Sequence, residues 1–494
     1  MNETLSNTAG GAWLNESEWA ESVFSGTWER CGQQAEIIEP ATGEVLSRIG
    51  MLAGDELGRF SAAAARAQGS WAKMHFEDRA RILRTAAELG ERHFAELTGW
   101  IVRESGSTRA KAEFELSITI RSLREAAAMP SQAQGLVLPS TADRLSMCRR
   151  APLGVIGVIA PFNFPLYLAM RAVAPALAVG NAVVLKPDPR TAISGGVIIA
   201  RLLAEAGLPN GVLHVLTGGG DLGAALCRDP HVAMIAFTGS TAAGRKVGEL
   251  AGANLKKVSL ELGGKNTLIV LDDADLDVAV SNAAWGAYLH QGQICMATGR
   301  ILVQRTIEDE FARRLAAKAQ QLTVGNPATD AAALGPMINA AQVRSAQDIV
   351  DRSVAAGAKL EAGGRHDALF FWPTVLSGVK PGMPAFEEEI FGPVACITGF
   401  DTDDEAVMLA NRTEYGLSAG VISNSVGRAL EIGNRLRTGL LHINDQTVAD
   451  DVVNPFGGVG ASGNGTSIGG PANWEEFTQW QWVTIRGSAQ AYPL

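Results

Sequence analysis

Short apolar runs alternate with helical stretches from Leu153 onward, and this alternation restricts the fold more than any other feature. Runs of this kind separated by helices are typical of βαβ units on a parallel sheet. Ligands of such sheets bind at the carboxyl ends of the strands. The predicted strands lie at 153–160, 182–185, 212–216, 233–237 and 268–270, and the helices between them near 166–179, 192–206, 222–227 and 242–251.

The rest of the 494-residue chain divides around this region. A second alternating region runs from about 272 to 445. Two segments stand apart from these regions. Residues 129–140 are predicted to form an arm or an edge strand, and residues 474–485 show an alternation of apolar residues that includes Trp480 and Trp482. An aromatic strand at that place either adds to a partner's sheet or covers its own domain. The remaining helices are predicted at 57–71, 78–91 and 93–104, and at 276–287, 308–321 and 341–356.

Composition excludes several classes of protein. Hydrophobic residues make up 47% and charged residues 19%, which is typical of a packed globular protein. The formal net charge of −10 argues against nucleic-acid binding, because that function needs excess Lys and Arg. The five cysteines are scattered and form no CxxC motif, so we expect no disulfide framework and no metal site. A reducing compartment is the simpler interpretation.

No membrane segment is expected either. The polar residues 1–16 lack the basic start and apolar run of a signal peptide. Residues 151–170 are almost wholly apolar and long enough for a membrane span, but they contain three prolines and Asn163. These favour a buried strand, a turn and the start of a helix. The expected location is cytoplasmic.

Three residues are candidates for catalysis. Cys295 follows Gly292 and Gln293 and not a long apolar run, so it is either an inert core thiol or a nucleophile with access to substrate. Glu261 ends a predicted strand just before two glycines; it is either a solvated or capping carboxylate, or a base that activates water. Asn163 lies between Pro161 and Pro165, which fix its turn. Its amide either satisfies the turn backbone or donates to a developing oxyanion.

Other residues suit phosphate binding. The turn from Gly239 to Gly244 follows an apolar strand and opens a helix, which is the geometry that receives a phosphate. Lys186 leaves another strand end and can reach a ribose or a phosphate. A GxGxxG match at Gly458, Gly460 and Gly463 lacks a surrounding strand and helix, so it is interpreted as a loop.

Seven motifs in order make the chain resemble the aldehyde dehydrogenase superfamily, with similarity to its benzaldehyde and vanillin dehydrogenases. They are PFNFP at 161–165, KP at 186–187, FTGST at 237–241, LELGGK at 260–265, GQIC at 292–295, EIFGPV at 389–394 and PFGG at 455–458. The resemblance implies an α/β fold: a Rossmann-like NAD(P)-binding domain at 1–130 and 152–261, an α/β catalytic domain at 262–445, and a small β oligomerisation element, the arm and tail at 131–151 and 474–494. A homodimer or homotetramer is expected.

The resemblance also implies the role of each site residue. Cys295 is the nucleophile, Asn163 with the Cys295 backbone N–H forms the oxyanion hole, and Glu261 is the general base. Lys186 and Glu389 hold the two riboses, and Phe391 lies near the nicotinamide. The implied cofactor-binding residues are Ile159, Pro161, Phe162, Lys186, Gly223, Thr238, Gly239, Ser240, Gly244, Leu262, Glu389 and Phe391.

The implied cofactor is NAD, with NADP accepted. NAD-selective members of the family commonly carry Glu three residues after the strand-end lysine, and that position is Pro189 here, followed by Arg190. Repulsion of a 2′-phosphate is therefore missing and a cation is near. A second departure places Gly460 where the family's loop commonly has Lys, which alters the loop and not the chemistry.

The resemblance predicts an aromatic aldehyde as substrate, oxidised through a thiohemiacetal and a thioester. Arg171 either binds a substrate carboxylate or forms a structural ion pair. The alternatives are an aliphatic aldehyde or semialdehyde dehydrogenase, a CoA-acylating enzyme, against which Glu261 argues, and a non-catalytic homologue. The expected pocket wall is apolar and suits a flat ring; it consists of Phe164, Tyr167, Leu168, Arg171, Ile294 and Met296.

Overall fold

Two seven-stranded sheets form the body of the protein, of which the computed structural model describes residues 12–493. Residues 1–11 of the polar segment at 1–16, and the last residue of the tail, 494, lie outside the described residues. The first sheet is parallel in its five neighbouring strands and ends in an antiparallel hairpin. In spatial order its strands are Lys257–Glu261, Val232–Thr238, Val155–Ile159, Ala182–Lys186, Leu213–Val215, Ser22–Phe24 and Trp28–Arg30.

The second sheet is parallel except at one edge strand. A central strand of each sheet is buried at every position, because helices cover both faces and every side chain is apolar or closely packed. The predicted Rossmann-like α/β class is confirmed. In spatial order the strands of the second sheet are Lys359–Ala362, Thr374–Ser377, Val394–Phe400, Thr298–Gln304, Asn266–Val270, Ser418–Ile422 and Leu440–Ile443.

The helices lie against the faces of these sheets, and helix Pro165–Ala178 is almost wholly buried between its sheet and the amino-terminal helices. The α-helices are Glu16–Trp19, Leu57–Lys73, Phe76–Arg92, Phe94–Ser105, Arg109–Ala128, Pro165–Ala178, Ile198–Glu205, Gly220–Arg228, Thr241–Ala253, Leu276–Tyr288, Arg305–Gln321, Ala340–Ala355, Pro384–Glu387, Asp403–Asn411, Val426–Gly433 and Ala472–Phe477. The two remaining antiparallel pairs are Gln33–Ile38 with Val45–Met51, and His366–Asp367 with Phe370–Phe371.

The predicted arm and tail form one three-stranded antiparallel sheet. Strand Arg144–Pro152 lies between Gly135–Leu138 and Thr478–Arg486, so the tail pairs within its own chain. The prediction of a strand from 474 was too long, because the first part of that segment is helical. Helix Ala472–Phe477 buries the Phe477 ring in the core, and the strand begins only at Thr478.

The apolar segment at 151–170 forms strand Val155–Ile159, a turn and the start of helix Pro165–Ala178, as predicted. Across residues 12–493, no helix combines the length and the apolar character that a membrane crossing requires. The same residues contain no group of three or more His, Cys, Asp or Glu side chains arranged to hold a metal ion.

Candidate active site

Cys295 lies on a strained loop between helix Leu276–Tyr288 and strand Thr298–Gln304. His290 and Gln291 both have positive φ, of 49° and 56°. Gly292 follows with φ of 67°, and a Cβ there would lie 2.2 Å from the carbonyl oxygen of Gly392. Gln291 holds this conformation by donating to the carbonyls of two neighbouring segments, at 2.8 and 2.7 Å. The surrounding structure therefore fixes the direction of the cysteine.

The surroundings of Cys295 favour the neutral thiol. Desolvation raises its pKa to about 12, and the carboxylates of Glu389, Glu261 and Asp450 act in the same direction. Arg171 is the cation that opposes them. A cysteine becomes a nucleophile either through a lowered thiol pKa or by losing its proton during the attack. Because the pKa is raised here, the proton must leave during attack.

The amide of Asn163 connects its turn to the cysteine loop. Asn163 is 3% exposed, and its Nδ2 donates to the carbonyl of Gln293 at 2.9 Å. An amide nitrogen has two N–H groups, so the second remains available for an oxyanion. The turn is fixed from below, because the Lys111 ammonium donates to the Asn163 carbonyl at 2.7 Å.

Lys111 belongs to a buried ion pair that the sequence analysis did not identify. Its ammonium lies 2.5 Å from Glu115, and both side chains are fully buried. Glu115 also accepts from the backbone N–H groups of Leu166 and Tyr167, at the start of helix Pro165–Ala178. The i, i+4 spacing was visible in the sequence, but it is equally typical of solvent-exposed helix pairs.

Glu261 ends its strand and is 7% exposed. Neither carboxylate oxygen has a hydrogen-bond partner among the residues that the structure describes. Desolvation raises its pKa well above the ordinary value, opposed in part by Arg171. Glu261 and Cys295 line one small cavity of about 20 Å³, which is room for a single water molecule.

The predicted cofactor residues meet at one edge of the first sheet. Ile159, Lys186, Thr238 and Leu262 lie at or just after the ends of four strands that are neighbours in the sheet. Pro161 and Phe162 form the turn that follows the first of them. The carboxyl ends of parallel strands form the ligand-binding edge of such sheets.

The turn after Thr238 has the geometry predicted for phosphate binding. Gly239 follows the strand, and Ser240 caps helix Thr241–Ala253 by accepting from the Ala243 N–H at 3.3 Å. A Cβ on Gly244 would lie 2.2 Å from the Leu262 side chain, so the helix packs closely on the residue that follows the strand. The Gly223 position faces Ile159 and Lys186, at 3.7 and 3.8 Å from an added Cβ.

Glu389 and Phe391 approach this edge from the second sheet's side. Glu389 accepts from the Gly264 N–H at 3.1 Å, and desolvation raises its pKa to about 7. Phe391 has a φ of 53° and meets the ring of Phe162 edge-on, with centroids 5.9 Å apart. The cleft between the two sheets therefore has walls from both.

The cation expected beside the adenosine ribose is already neutralised. Arg190 makes a bidentate pair with Asp188, at 2.8 and 2.6 Å, and lies over the ring of Phe162. Burial lowers the pKa of Lys186, with Asp188 and Asp221 opposing the shift. Sequence reasoning placed Arg190 correctly near the site but did not foresee its carboxylate partner.

A large cavity of about 1010 Å³ leads to Cys295. All six predicted pocket residues line it, together with Lys111, Phe114, Trp285, Val448, Asp450 and Phe456 among others. Phe114 and Trp285 are 48% and 54% exposed, so the cavity reaches the protein surface. Phe456 belongs to the PFGG motif at 455–458, but no motif marked the other five, because they come from segments distant in the sequence.

Arg171 forms the ion pair that the sequence analysis left open. Its guanidinium lies 2.9 Å from Asp450, and both side chains are less than a tenth exposed. The face of the guanidinium lies 4.2 Å from the centre of the Phe456 ring. A structural pair, and not a free carboxylate clamp, is therefore the arrangement present.

Known proteins share this chain's sequence and architecture. Residues 28–483 match the aldehyde dehydrogenase family. A vanillin dehydrogenase from an Amycolatopsis species is 55% identical over 98% of this chain and 100% of that protein. The NAD(+) benzaldehyde dehydrogenase of Pseudomonas putida is 48% identical over 96% and 98%. The NAD+ complex of betaine aldehyde dehydrogenase from Staphylococcus aureus superposes with a TM-score of 0.93, at 30% identity and 98% coverage of both chains.

The Cys295 thiol, the Asn163 amide and the Glu261 carboxylate thus lie together at the end of a cavity. A sheet edge suited to a dinucleotide lies beside them, and the sequence matches come from aldehyde dehydrogenases. The chain belongs to the aldehyde dehydrogenase family.

Proposed function

We propose that this protein oxidises an aromatic aldehyde to its carboxylic acid with NAD. The observation that carries the proposal is the convergence of Cys295, Asn163 and Glu261 at the end of an apolar cavity lined by Phe164, Tyr167 and Phe456. Flat aromatic rings pack well in such surroundings. The high identity to vanillin and benzaldehyde dehydrogenases supports this substrate class.

The first step is attack of the Cys295 sulfur on the carbonyl carbon, which forms a thiohemiacetal. The thiol proton leaves through the cavity to solvent, since the raised pKa leaves little thiolate beforehand. Asn163 and the Cys295 backbone N–H would donate to the new oxyanion. The hydrogen bond to Gln293 holds the amide ready, so no reorganisation is needed in the transition state.

The second half of the reaction is hydrolysis of the thioester on Cys295. Glu261 is the proposed base, because it shares the water-sized cavity with the sulfur and no other group occupies its oxygens. Water attacks the thioester carbon while Glu261 takes its proton. The carbon–sulfur bond then breaks and the proton held by Glu261 passes to the departing sulfur, which releases the carboxylic acid and restores both the Cys295 thiol and the Glu261 carboxylate.

The cleft residues fit a dinucleotide. Gly244 packs against Leu262 in the first turn of helix Thr241–Ala253. The N–H groups at the amino terminus of this helix would hold the pyrophosphate. Lys186 and Glu389 would bind the riboses, and Phe391 would lie beside the nicotinamide. NAD, when bound, supplies the hydride acceptor that turns the thiohemiacetal into the thioester. NADP is proposed to be accepted as well, because Pro189 provides no carboxylate against a 2′-phosphate and the neighbouring Asp188 carboxylate is paired with Arg190.

Replacing Asn163 with alanine should lower kcat by about 10²–10³-fold, because one oxyanion donor is lost. Affinity for NAD should stay within about threefold, since the amide faces the cysteine loop. Stopped-flow absorbance of the reduced cofactor measures kcat, and titration calorimetry measures the affinity for NAD. Equal losses in both would instead indicate a collapsed turn.

The substrate class is tested with benzaldehyde, hexanal and succinate semialdehyde, each with NAD and with NADP. We expect the highest kcat/KM for benzaldehyde, by about tenfold or more. A preference for succinate semialdehyde would contradict the aromatic proposal, since Arg171 is already paired with Asp450 and is not free to bind its carboxylate.

We also propose the domain division at 1–130 with 152–261, at 262–445, and at 131–151 with 474–494. The three-stranded sheet supports an oligomerisation role, because it exposes Leu136, Val137 and Trp482 by 58%, 77% and 67%. A homodimer or homotetramer is the proposed assembly, and sedimentation velocity would measure it. All five cysteines are free, which fits the proposed cytoplasmic location.

A further inference from the structure

Three polar side chains that contact one another lie on the wall of the large cavity. They are Tyr167, Arg171 and Asp450, which we call the wall triad. Asp450 Oδ2 accepts from the Tyr167 hydroxyl at 3.1 Å and from Arg171 Nη1 at 2.9 Å. The Arg171 and Asp450 side chains are only 8% and 9% exposed. A buried ion pair is costly to desolvate, so a function at this site would explain its place on the cavity wall.

The arginine of the wall triad is held by several contacts within the protein. Its Nη2 donates to the carbonyl of Ile468 at 3.2 Å, and its face lies on the Phe456 ring. Asp450 neutralises its charge at close range. The Arg171–Asp450 pair therefore offers no net charge to attract an anionic substituent, and Asp450 is the member of the pair that can accept a hydrogen bond.

Asp450 retains one nearly unused oxygen. Oδ2 accepts two hydrogen bonds, but Oδ1 has only a long contact of 3.4 Å with Arg171 Nη2. An ionised carboxylate accepts about four hydrogen bonds. Asp450 lines the cavity itself, and within the described residues its only side-chain donors are Tyr167 and Arg171. A substrate with a suitably placed O–H would fill that capacity.

We propose that Asp450 Oδ1 accepts a hydrogen bond from a hydroxyl group on the substrate ring, so that the preferred substrates are hydroxylated aromatic aldehydes and not benzaldehyde itself. This inference rests on the proposed function, whose site it shares. Asp450 acts here as a specificity-determining residue, and Tyr167 and Arg171 hold its carboxylate in place.

The location of the wall triad fits this role. Arg171 lines the small cavity that also contains Cys295 and Glu261, so the triad borders the catalytic end and not the mouth. Asp450 is also one of the carboxylates near enough to raise the pKa of the Cys295 thiol. A ring whose aldehyde carbon is at the sulfur would thus have its substituents beside Asp450.

The test compares kcat/KM for 3- and 4-hydroxybenzaldehyde with that for the matching methoxybenzaldehydes and for benzaldehyde. A methoxy group occupies similar space but donates no hydrogen bond. The measurements are made at a pH where the phenol is neutral. In the unchanged protein we expect the better hydroxyl isomer to exceed its methoxy partner by about ten- to a hundredfold, as for a hydrogen bond to a charged group.

The Asp450→Asn variant should reduce this ratio to within about threefold. Its matched control is Asp451→Asn, because Asp451 pairs with Arg121 at the surface, 2.7 Å away, and does not line the cavity. The control should keep the full ratio. A ratio unchanged in a folded Asp450→Asn protein, or no hydroxyl preference in the unchanged protein, would overturn the inference.

A second variant protects the test against misfolding, since Asp450→Asn leaves Arg171 without its counter-ion. Tyr167→Phe keeps the ion pair and should retain the hydroxyl preference. Loss of the preference in that variant would assign the contact to the tyrosine hydroxyl and overturn the role of Asp450. If no ring aldehyde is oxidised while hexanal is, the proposed function itself fails, which is a different result from equal rates for hydroxyl and methoxy substrates.

Discussion

Replacing Cys295 with alanine is expected to abolish formation of reduced cofactor, by at least about 10⁴-fold, as when a catalytic nucleophile is removed. No second thiol lines either cavity within the described part of the chain. Cys227 and Cys396 are buried in the apolar cores of the two sheets, which places them away from any substrate. The measurement is the steady-state absorbance of reduced cofactor with an aromatic aldehyde.

Cofactor affinity separates loss of chemistry from loss of structure. The residues proposed to bind the dinucleotide include Lys186, Gly239 and Glu389 and not Cys295, so the alanine variant should bind NAD within about threefold of the unchanged protein. Cys148→Ala, on the three-stranded sheet, is the matched control and should keep full activity. Activity within tenfold of normal in Cys295→Ala would show that another group attacks the aldehyde.

The fold was accessible from the sequence because its signal is local. Strand Val155–Ile159 and strand Ala182–Lys186 are wholly buried, so each reads as a continuous apolar run. The helices between them carry apolar residues at helical spacing. The strand predicted from 474 began too early, since residues Ala472–Phe477 form a short helix that buries the Phe477 ring. A helix of six residues is too short to show helical periodicity in the sequence.

The proposed catalytic positions belong to short continuous motifs, which is why the resemblance could point to them. Their electrostatics could not be predicted, because burial is a property of the whole fold. The pKa of Cys295 is raised to about 12 by desolvation, and no pattern around the cysteine indicates that shift. The same holds for Asp450, which reaches Arg171 across 279 positions of sequence. The Asp188 carboxylate that neutralises Arg190 is different, because it lies only two positions away and was within reach of sequence reasoning.

Replacing Glu261 with glutamine should leave a burst of reduced cofactor of about one equivalent per chain and slow the following turnover by about 10²–10⁴-fold. Attack and oxidation precede the step that needs this base, so the thioester still forms. Glutamine has nearly the same shape but cannot take a proton from water. Stopped-flow absorbance gives the burst amplitude and the steady rate in one trace.

The pH profile adds a second test of the same role. Desolvation holds the pKa of Glu261 well above its ordinary value, so the carboxyl carries its proton at low pH and cannot act as a base there. Steady turnover should therefore rise with pH as that proton is lost, and in Glu261→Gln this rise should disappear. The burst rate should still rise with pH in both proteins, because the Cys295 thiol also ionises more at high pH.

The matched control for Glu261→Gln is Glu414→Gln, because Glu414 is an exposed glutamate paired with Arg245 at 3.1 Å. It should leave both phases unchanged. If Glu261→Gln turned over at the normal rate, another group would be activating the water. If instead the burst vanished with the steady rate, Glu261 would be required before the thioester forms, and the thiol proton would leave to this carboxylate and not to solvent. The two phases of one trace thus decide at which half of the reaction the carboxylate acts.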